Sequence, residues 1–398
     1  MTTRRTFRLA IVASHPIQYN AAWFRGMAEN PSVCLEVLYC DHASPADQAA
    51  AGFGVEFDWD VLLLDGYRYR FLQNVSRAPS VNRFSGLDTP DVSRVISDEK
   101  YDAVLVLGWH YKSYWQAIRA CWNHRIPVMV RSDSHLHTHR HSLKRLAKEL
   151  PYRLFISKLD ACLAVGRWSA EYFLHYGARR DRVFIVPHAV NHSFDKATRS
   201  LFFRKTEIRK RWGLRSDSSV FLFVGKFIEK KRPLDFVRAV QRASEYCPGV
   251  EGLMVGDGPL RQECERLVGG LHLPIRFTGF LNQSIISEAY VASDVLVLPS
   301  DGGETWGLVV NEAMSCGLPC VVSDQVGCGP DLVLSGETGF TFPLGDVEIL
   351  AGRMADLASH PQEIAALGVG AQRRVSQYSI PVAVDGVLQA LCRVVPAA

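Results

Sequence analysis

Apolar residues along the chain fall in short unbroken runs set between longer stretches with helical spacing. Residues 9–13, 35–39, 103–107, 127–130, 161–165 and 183–186 are six such runs, rich in Val, Ile, Leu and Ala. Runs this short without polar alternation predict strands buried on both faces, as in a parallel sheet covered by helices on each side. From residue 220 the pattern restarts, with expected strands at 220–224, 252–255, 275–277, 295–298 and 319–322. Helical stretches at 233–246, 259–268 and 308–316 separate them. Two successive βαβ series predict an α/β protein of two Rossmann-like, doubly wound parallel-sheet domains.

The polar, charged stretch between the series places a linker near 192–215, including a basic helix-like segment over 204–212. Ile380-Pro381 interrupts the pattern, and 382–394 reads as a last amphipathic helix. The expected division is 1–195, 196–378 and a terminal segment, 379–398.

Composition narrows the class. The chain has 398 residues, 47% apolar and 22% charged, with 45 Lys+Arg against 41 Asp+Glu. That excludes disorder, a collagen-like repeat and a small disulfide scaffold. A net charge of +4 is too mild to predict nucleic-acid binding unless it is clustered. The ten cysteines are scattered with no C-x2-C pair, which fits reduced thiols inside the cell. Thr3-Arg4-Arg5-Thr6-Phe7 resembles the start of an export signal, but the apolar stretch after it ends at Ser14-His15-Pro16. No run approaches the ~18–20 residues of a membrane span, so the expected location is cytoplasmic.

Ligands of doubly wound sheets bind beyond the carboxyl ends of the strands, and four motifs lie there. Gly225-Lys226-Phe227-Ile228-Glu229-Lys230-Lys231-Arg232-Pro233 follows a strand directly, putting Lys226 and Lys231 where an anion would be held. A solvated basic turn is an equal reading from position alone. Val255-Gly256-Asp257-Gly258-Pro259 is a strand-to-helix turn, weak by itself. In the third, Pro299 to Met314, the Gly302-Gly303 turn leads into a helix expected to open near Thr305 to Gly307. Backbone N–H groups of such a turn form an anion site. Glu304 and Glu312 frame it; on a continuous helix they would stand roughly 80° apart at ~3.6 residues per turn, but the glycines put Glu304 in the loop. Carboxylates beside a phosphate site serve as acceptors for sugar or ribose hydroxyls. A helix N-terminal charge for Glu304 and a solvated face for Glu312 are the plainer alternatives. The fourth motif, Ser323 to Asp331, is ordinary turn chemistry on its own.

In this order the motifs resemble the family 4 glycosyltransferases (glycosyl transferases group 1) of GT-B fold, the large retaining group that uses nucleotide-sugar donors. The resemblance covers 220–378. Its Glu-x7-Glu element falls on Glu304 and Glu312; its basic element falls on Gly225, Lys226 and Lys231, with Lys for the usual Arg and Arg232-Pro233 for the usual Gly. It implies two domains facing a cleft, with the acceptor in the first and the donor in the second. Glu304 would hold the donor sugar, Glu312 the ribose, and Lys226 and Lys231 the diphosphate, making these cations and Glu304 the catalytic set. Gly256, Thr305, Trp306, Gly307 and Leu308 would complete the donor site, with Phe280 and Leu281 near the base. Fixed cations at the leaving group imply that no metal or other cofactor is required. The donor expected is a UDP- or GDP-sugar, and the acceptor a glycan, a lipid-linked sugar or a small molecule. The segment 382–394 resembles the helix that returns to the first domain. A sugar-nucleotide epimerase of the same fold, or a non-catalytic subunit of a polysaccharide assembly complex, are the competing readings.

The amino half resembles the family less. Ser14-His15-Pro16-Ile17-Gln18-Tyr19 stands where many members carry a double-glycine loop, and Pro187-His188-Ala189-Val190-Asn191 looks like the pre-linker segment. His15, His110, Asp133 and His135 are the candidate acceptor contacts, with satisfied loop residues as the equal alternative. The alternation His135, His137, His139, His141 raises a metal reading, disfavoured because no carboxylate or thiolate is nearby. It runs into a basic amphipathic stretch, 140–153, where Leu143, Leu146, Leu150 and Leu154 share one helix face. Peripheral contact with an anionic membrane is one expectation for it; a helix packed through its leucines is the favoured one.

Overall fold

The structure, a computed structural model, describes residues 6–42, 56–138, 142–190, 198 and 200–396. The first half builds seven strands: β1 (Phe7–Ala13), β2 (Val33–Tyr39), β3 (Arg68–Phe71), β4 (Ala103–Val106), β5 (Val128–Ser132), β6 (Ala161–Ala164) and β7 (Val183–Ile185). They form one sheet in the order β3-β2-β1-β4-β5-β6-β7, every pair parallel. The second half adds β8 (Ser219–Val224), β9 (Val250–Val255), β10 (Ile275–Gly279), β11 (Val295–Leu298), β12 (Cys320–Ser323) and β13 (Gly339–Phe342). These form a second parallel sheet, β10-β9-β8-β11-β12-β13.

Period-2 alternation splits each strand between two cores. Leu9 and Ile11 of β1 pack with Phe24 and Met27, while Ala10 and Val12 face Tyr114 and Ile118 on the other side. In β8, Val220 and Leu222 point one way and Phe221 and Phe223 the other. Every one of these side chains is buried. That double burial is why the runs in the sequence lack polar alternation.

The order of each sheet reverses beside its first strand, at β1 between β2 and β4 and at β8 between β9 and β11. A crevice opens at the carboxyl ends of the strands at such a switch point. The helix Ile380–Val394 then lies on the first sheet, burying Val384, Val387 and Leu391 in the same core as Phe24 and Met27. Ile380-Pro381 does not break the pattern but opens this helix, since proline in a first turn gives up no helical hydrogen bond.

Part of the expected linker belongs to the second domain. The helix Lys205–Arg211 packs on the helix Ile286–Ala292, and buried Arg209 donates to the Ala292 carbonyl at 2.8 Å and to Asp294 Oδ2 at 2.5 Å. The basic stretch there is thus a structural cation, and 191–197 lie outside the described residues. No helix among the described residues is long and apolar enough to cross a membrane.

Candidate active site

The ends of β8, β9 and β10 are stitched together through glycine backbone. The Gly225 N–H donates to the Val255 carbonyl at 3.0 Å, and the Gly256 N–H to the Gly279 carbonyl at 2.9 Å. A Cβ at Gly256, whose φ is +127°, would stand 2.0 Å from the Gly225 oxygen, so only glycine lets the two turns meet. This floor leaves room for a cavity of about 500 Å³ between the domains.

Lys226 and Lys231 project into it from the turn after β8, joined by Lys230. Opposite them, the turn after β11 brings Glu304, whose carboxylate is ion-paired with the Lys231 ammonium; both side chains are about 12% exposed. The turn is held from both sides: the Asp301 N–H donates to the Lys230 carbonyl at 2.9 Å, and the Gly327 N–H to the Glu304 carbonyl at 3.0 Å. Gly307 caps the helix Leu308–Ser315, at the end of the stretch where the helix was expected to open, and Thr305, Trp306, Gly307 and Leu308 all line the cavity. Glu312, on that helix, accepts from the Tyr290 hydroxyl at 2.5 Å and also faces the cavity, so it is not on a solvated face.

Charge is strained here in a useful sense. Burial, reinforced by Lys230 and Lys231, pushes the Lys226 ammonium down to about 8. Burial raises the Glu312 carboxyl to about 7, against the lowering effect of the Tyr290 hydroxyl. For Glu304 burial acts upward, but the opposing charges of Lys231 and Lys230 outweigh it and hold the carboxyl below its ordinary value. A site with three lysines around one ionised carboxylate carries net positive charge, suited to a polyanion such as a diphosphate.

Phe280 and Leu281 line the far end of the cavity. A segment of the first domain closes over them: the Phe57 and Phe280 rings lie 4.3 Å apart, and Asn282 Nδ2 donates to the Asp58 carbonyl at 2.7 Å. Trp59 and Val61 of that segment form part of the wall. Gln18 and Tyr19, at the start of the helix Gln18–Ala28, supply another part where the double-glycine loop is missing. His188 completes it, and burial next to Arg131 keeps its ring neutral.

Of the candidate acceptor contacts, the structure brings Asp133 and His110 together and leaves the other two aside. Asp133 Oδ2 accepts from the Thr305 hydroxyl at 2.7 Å, crossing between domains. It lines both the main cavity and a second one of about 420 Å³ in the first domain, which His110 also lines. His135 is buried, its ring 5.2 Å from that of Trp168 and tilted 47° to it, and it lines neither cavity. His15 likewise lines neither. His137 lies 4.1 Å from the Trp168 ring, while His139 and His141 lie outside the described residues. Among the described residues no group of three His, Cys, Asp or Glu side chains is arranged to hold a metal ion.

Lys230, Gln18, Tyr19, Trp59 and His188 were not among the expected site residues. Lys230 adjoins Lys231 and could have been read with it. Tyr19 and His188 sit in segments singled out above, but Trp59 follows no strand and had no sequence signal.

Two parallel α/β domains facing a cleft, with the anion site at the switch point of the second, define a GT-B protein. Comparison with known proteins agrees. Residues 218–360 match the family model for glycosyl transferases group 1, and residues 22–189 match that for a glycosyl transferase 4-like domain. The chain is 34% identical over 180 residues to the sulfoquinovosyl transferase SQD2 of Arabidopsis thaliana, covering 44% of this chain and 34% of that protein. It is 30% identical over 254 residues to the D-inositol 3-phosphate glycosyltransferase of Rhodococcus opacus, covering 61% and 55%. These matches span between a third and just over half of the length of those relatives. Among solved structures, Anabaena HepE in complex with UDP superposes with a TM-score of 0.73 at 17% identity, covering 97% of this chain and 99% of that one. A glycosyltransferase from Rickettsia africae gives 0.73 at 14%, covering 99% and 100%. The chain belongs to the group 1, family 4 glycosyltransferases.

Proposed function

We propose that the protein transfers a sugar, with retention of configuration, from a nucleoside diphosphate sugar to a hydroxyl acceptor. The observation that carries this is the convergence of Lys226, Lys231, Glu304 and Glu312 in one cavity between the domains. Lys226 and Lys231 bind the diphosphate and take up the negative charge that develops as the anomeric C–O bond breaks. Glu304, released from part of its pairing with Lys231, accepts hydrogen bonds from the sugar hydroxyls, and Glu312 accepts from the ribose. The acceptor oxygen bonds to the anomeric carbon on the face the diphosphate leaves, and the departing phosphate oxygen takes the acceptor's proton. The fixed ammonium groups supply the charge a divalent cation would otherwise provide, so the reaction proceeds without one.

UDP- and GDP-sugars fit the aromatic end of the cavity at Phe280 and Trp59, where a planar base can stack. The named glycosyltransferases among the relatives, and the UDP complex of the fold neighbour, support the donor class. Peripheral membrane contact through 140–153 belongs to the same proposal. In the helix Ser142–Ile156, Leu150 and Leu154 are 66% and 56% exposed, so these two leucines are not packed as the favoured sequence reading had it. Lys148 and Arg153 stand beside them on a helix able to rest on an anionic lipid surface.

The test is transfer and hydrolysis of UDP-, GDP- and ADP-sugars, with the anomeric product read by NMR. Retention is expected, unchanged by EDTA, and Glu304→Gln or Lys226→Ala should lower kcat by about 10²–10³. Binding of none of these donors, or full activity in Glu304→Gln, overturns the reading. Conversion of the donor sugar to its epimer without transfer marks an epimerase instead.

A further inference from the structure

The second cavity lies wholly in the first domain, below the carboxyl ends of β4 and β5, and its volume of about 420 Å³ falls in the range of small-molecule sites. Its walls are aromatic: Trp109, Trp115, Tyr152 and Tyr172 line it. They are fixed by one another. Trp115 Nε1 donates to the Trp109 carbonyl at 2.8 Å, Trp109 Nε1 donates to the Tyr152 hydroxyl at 3.3 Å, and the Trp109 and Tyr172 rings stack 6.1 Å apart. A preset wall of this kind receives a ligand without first having to order its side chains.

One side of the cavity is polar. Asp133, Ser132, Ser134 and His110 line it, and burial keeps the His110 ring below its ordinary pKa, against the opposing pull of Asp133. The pairing of aromatic faces with a polar rim matches a ring that is apolar on its C–H faces and edged with hydroxyls. Sugars and cyclic polyols have that chemistry.

At the mouth stands Lys148 on the helix Ser142–Ile156, its ammonium 5.5 Å from the Tyr152 ring. The adjacent carboxylate, Glu149, is taken by Arg153 at 2.8 Å and His175 at 3.4 Å. Among the described residues no carboxylate forms an ion pair with Lys148. Arg131, buried at the back, has its Nε on the Val186 carbonyl at 3.1 Å and adds positive charge that Asp133 balances only once. The cavity therefore has one cation in excess.

Asp133 is common to both cavities and bonds Thr305, the residue after Glu304. Through Asp133 the second cavity therefore adjoins the donor cavity at the turn that carries Glu304. We propose that this cavity is the acceptor site, and that it takes a sugar or cyclic polyol bearing an anionic group, phosphate or carboxylate, which Lys148 binds. This rests on the donor-site reading above; it adds the acceptor's chemical class and its contacts. Asp133 positions the reacting hydroxyl.

The experiment is calorimetric titration of the full chain, with and without UDP. The probes are glucose 6-phosphate, inositol 1-phosphate and glucuronate, with glucose, inositol and inorganic phosphate as controls. At least one anionic probe is expected to bind tenfold or more tighter than both its uncharged parent and inorganic phosphate. Lys148→Gln should abolish that ratio with no change in melting temperature, and Ser134→Leu, which fills the cavity, should abolish binding altogether. A second arm uses phosphatidylinositol vesicles against phosphatidylcholine vesicles. Binding of free probes assigns a soluble acceptor; binding of vesicles alone, lost in Lys148→Gln and Ser134→Leu, assigns a lipid-borne one. Either supports the proposal. It is overturned by equal affinity for anion and parent, by a ratio that survives Lys148→Gln, or by UDP binding with neither a free probe bound nor any vesicle binding that Ser134→Leu removes. Failure of UDP, GDP and ADP to bind the unaltered protein instead removes the donor-site reading, whatever the probes do.

Discussion

Lys226 and Glu312 face one cavity with their titrations drawn together, the lysine lowered to about 8 and the carboxyl raised to about 7, both chiefly by burial. The two shifts act on a nucleoside diphosphate in opposite directions. A diphosphate is bound by the ammonium form of Lys226, which is lost as pH rises through about 8. Ribose hydroxyls are accepted by the carboxylate of Glu312, which is lost as pH falls through about 7. UDP affinity measured by calorimetry should therefore peak between these values and decline on both sides. Lys226→Arg, which cannot deprotonate in this range, should remove the alkaline decline and leave the acid one. A flat profile from pH 6 to 9 in the unaltered protein would reject the assignment of both groups.

At the level of elements, strands buried on both faces were legible because burial leaves few polar positions in them, Glu36, Arg131 and Glu251 among them. β3 and β13 were not. In β3 the residues Arg68-Tyr69-Arg70-Phe71 lie at the sheet edge, where Arg70 pairs with Glu36 and Glu99 instead of packing inward. In β13 the strand begins at Gly339, inside a turn-like sequence, and pairs with β12 only on one side. The donor motifs were legible since a glycine turn after a strand is a local event. The segment carrying Trp59 and the position of His135 depend on packing between distant parts and leave no local mark. The terminal helix shows the same limit: its amphipathic pattern is plain, but not how closely it sits. A Cβ at Gly386 would meet the Ile185 carbonyl oxygen at 2.2 Å. Alanine there gains about 1 kcal/mol in helix propensity, yet displacing backbone from β7 costs ~1–3 kcal/mol. Gly386→Ala should accordingly lower the midpoint of urea unfolding, and a raised midpoint would show that the helix shifts freely on the sheet.

Beside apolar contacts at Phe57–Phe280 and Trp306–Gly166, polar contacts join the two domains around the ligand cavity. Asp331 of the second domain makes the most concentrated of them. Its two carboxylate oxygens accept from the Arg167 N–H at 3.1 and 3.0 Å, at the start of the first-domain helix Arg167–His175, and one also accepts from the Tyr378 hydroxyl at 3.0 Å. Glycine at position 166 offers that helix no side-chain cap, so the cap comes from across the cleft. Close by, Asn311 Nδ2 donates to the His188 carbonyl at 3.2 Å and Trp306 packs against Gly166. Removing a helix cap costs ~0.5–2 kcal/mol, and here the loss falls on the equilibrium between closed and open forms. That is a shift of up to roughly thirtyfold, and donor affinity falls with the closed fraction once closure is no longer dominant. Asp331→Ala should enlarge the radius of gyration of the ligand-free protein in solution scattering and weaken UDP-sugar binding by up to that factor. Asp331→Asn, which keeps an acceptor oxygen, should recover part of both. Unchanged scattering together with unchanged affinity in Asp331→Ala would show that closure is carried by Thr305–Asp133 and the contacts at Phe57 and Asn282 instead.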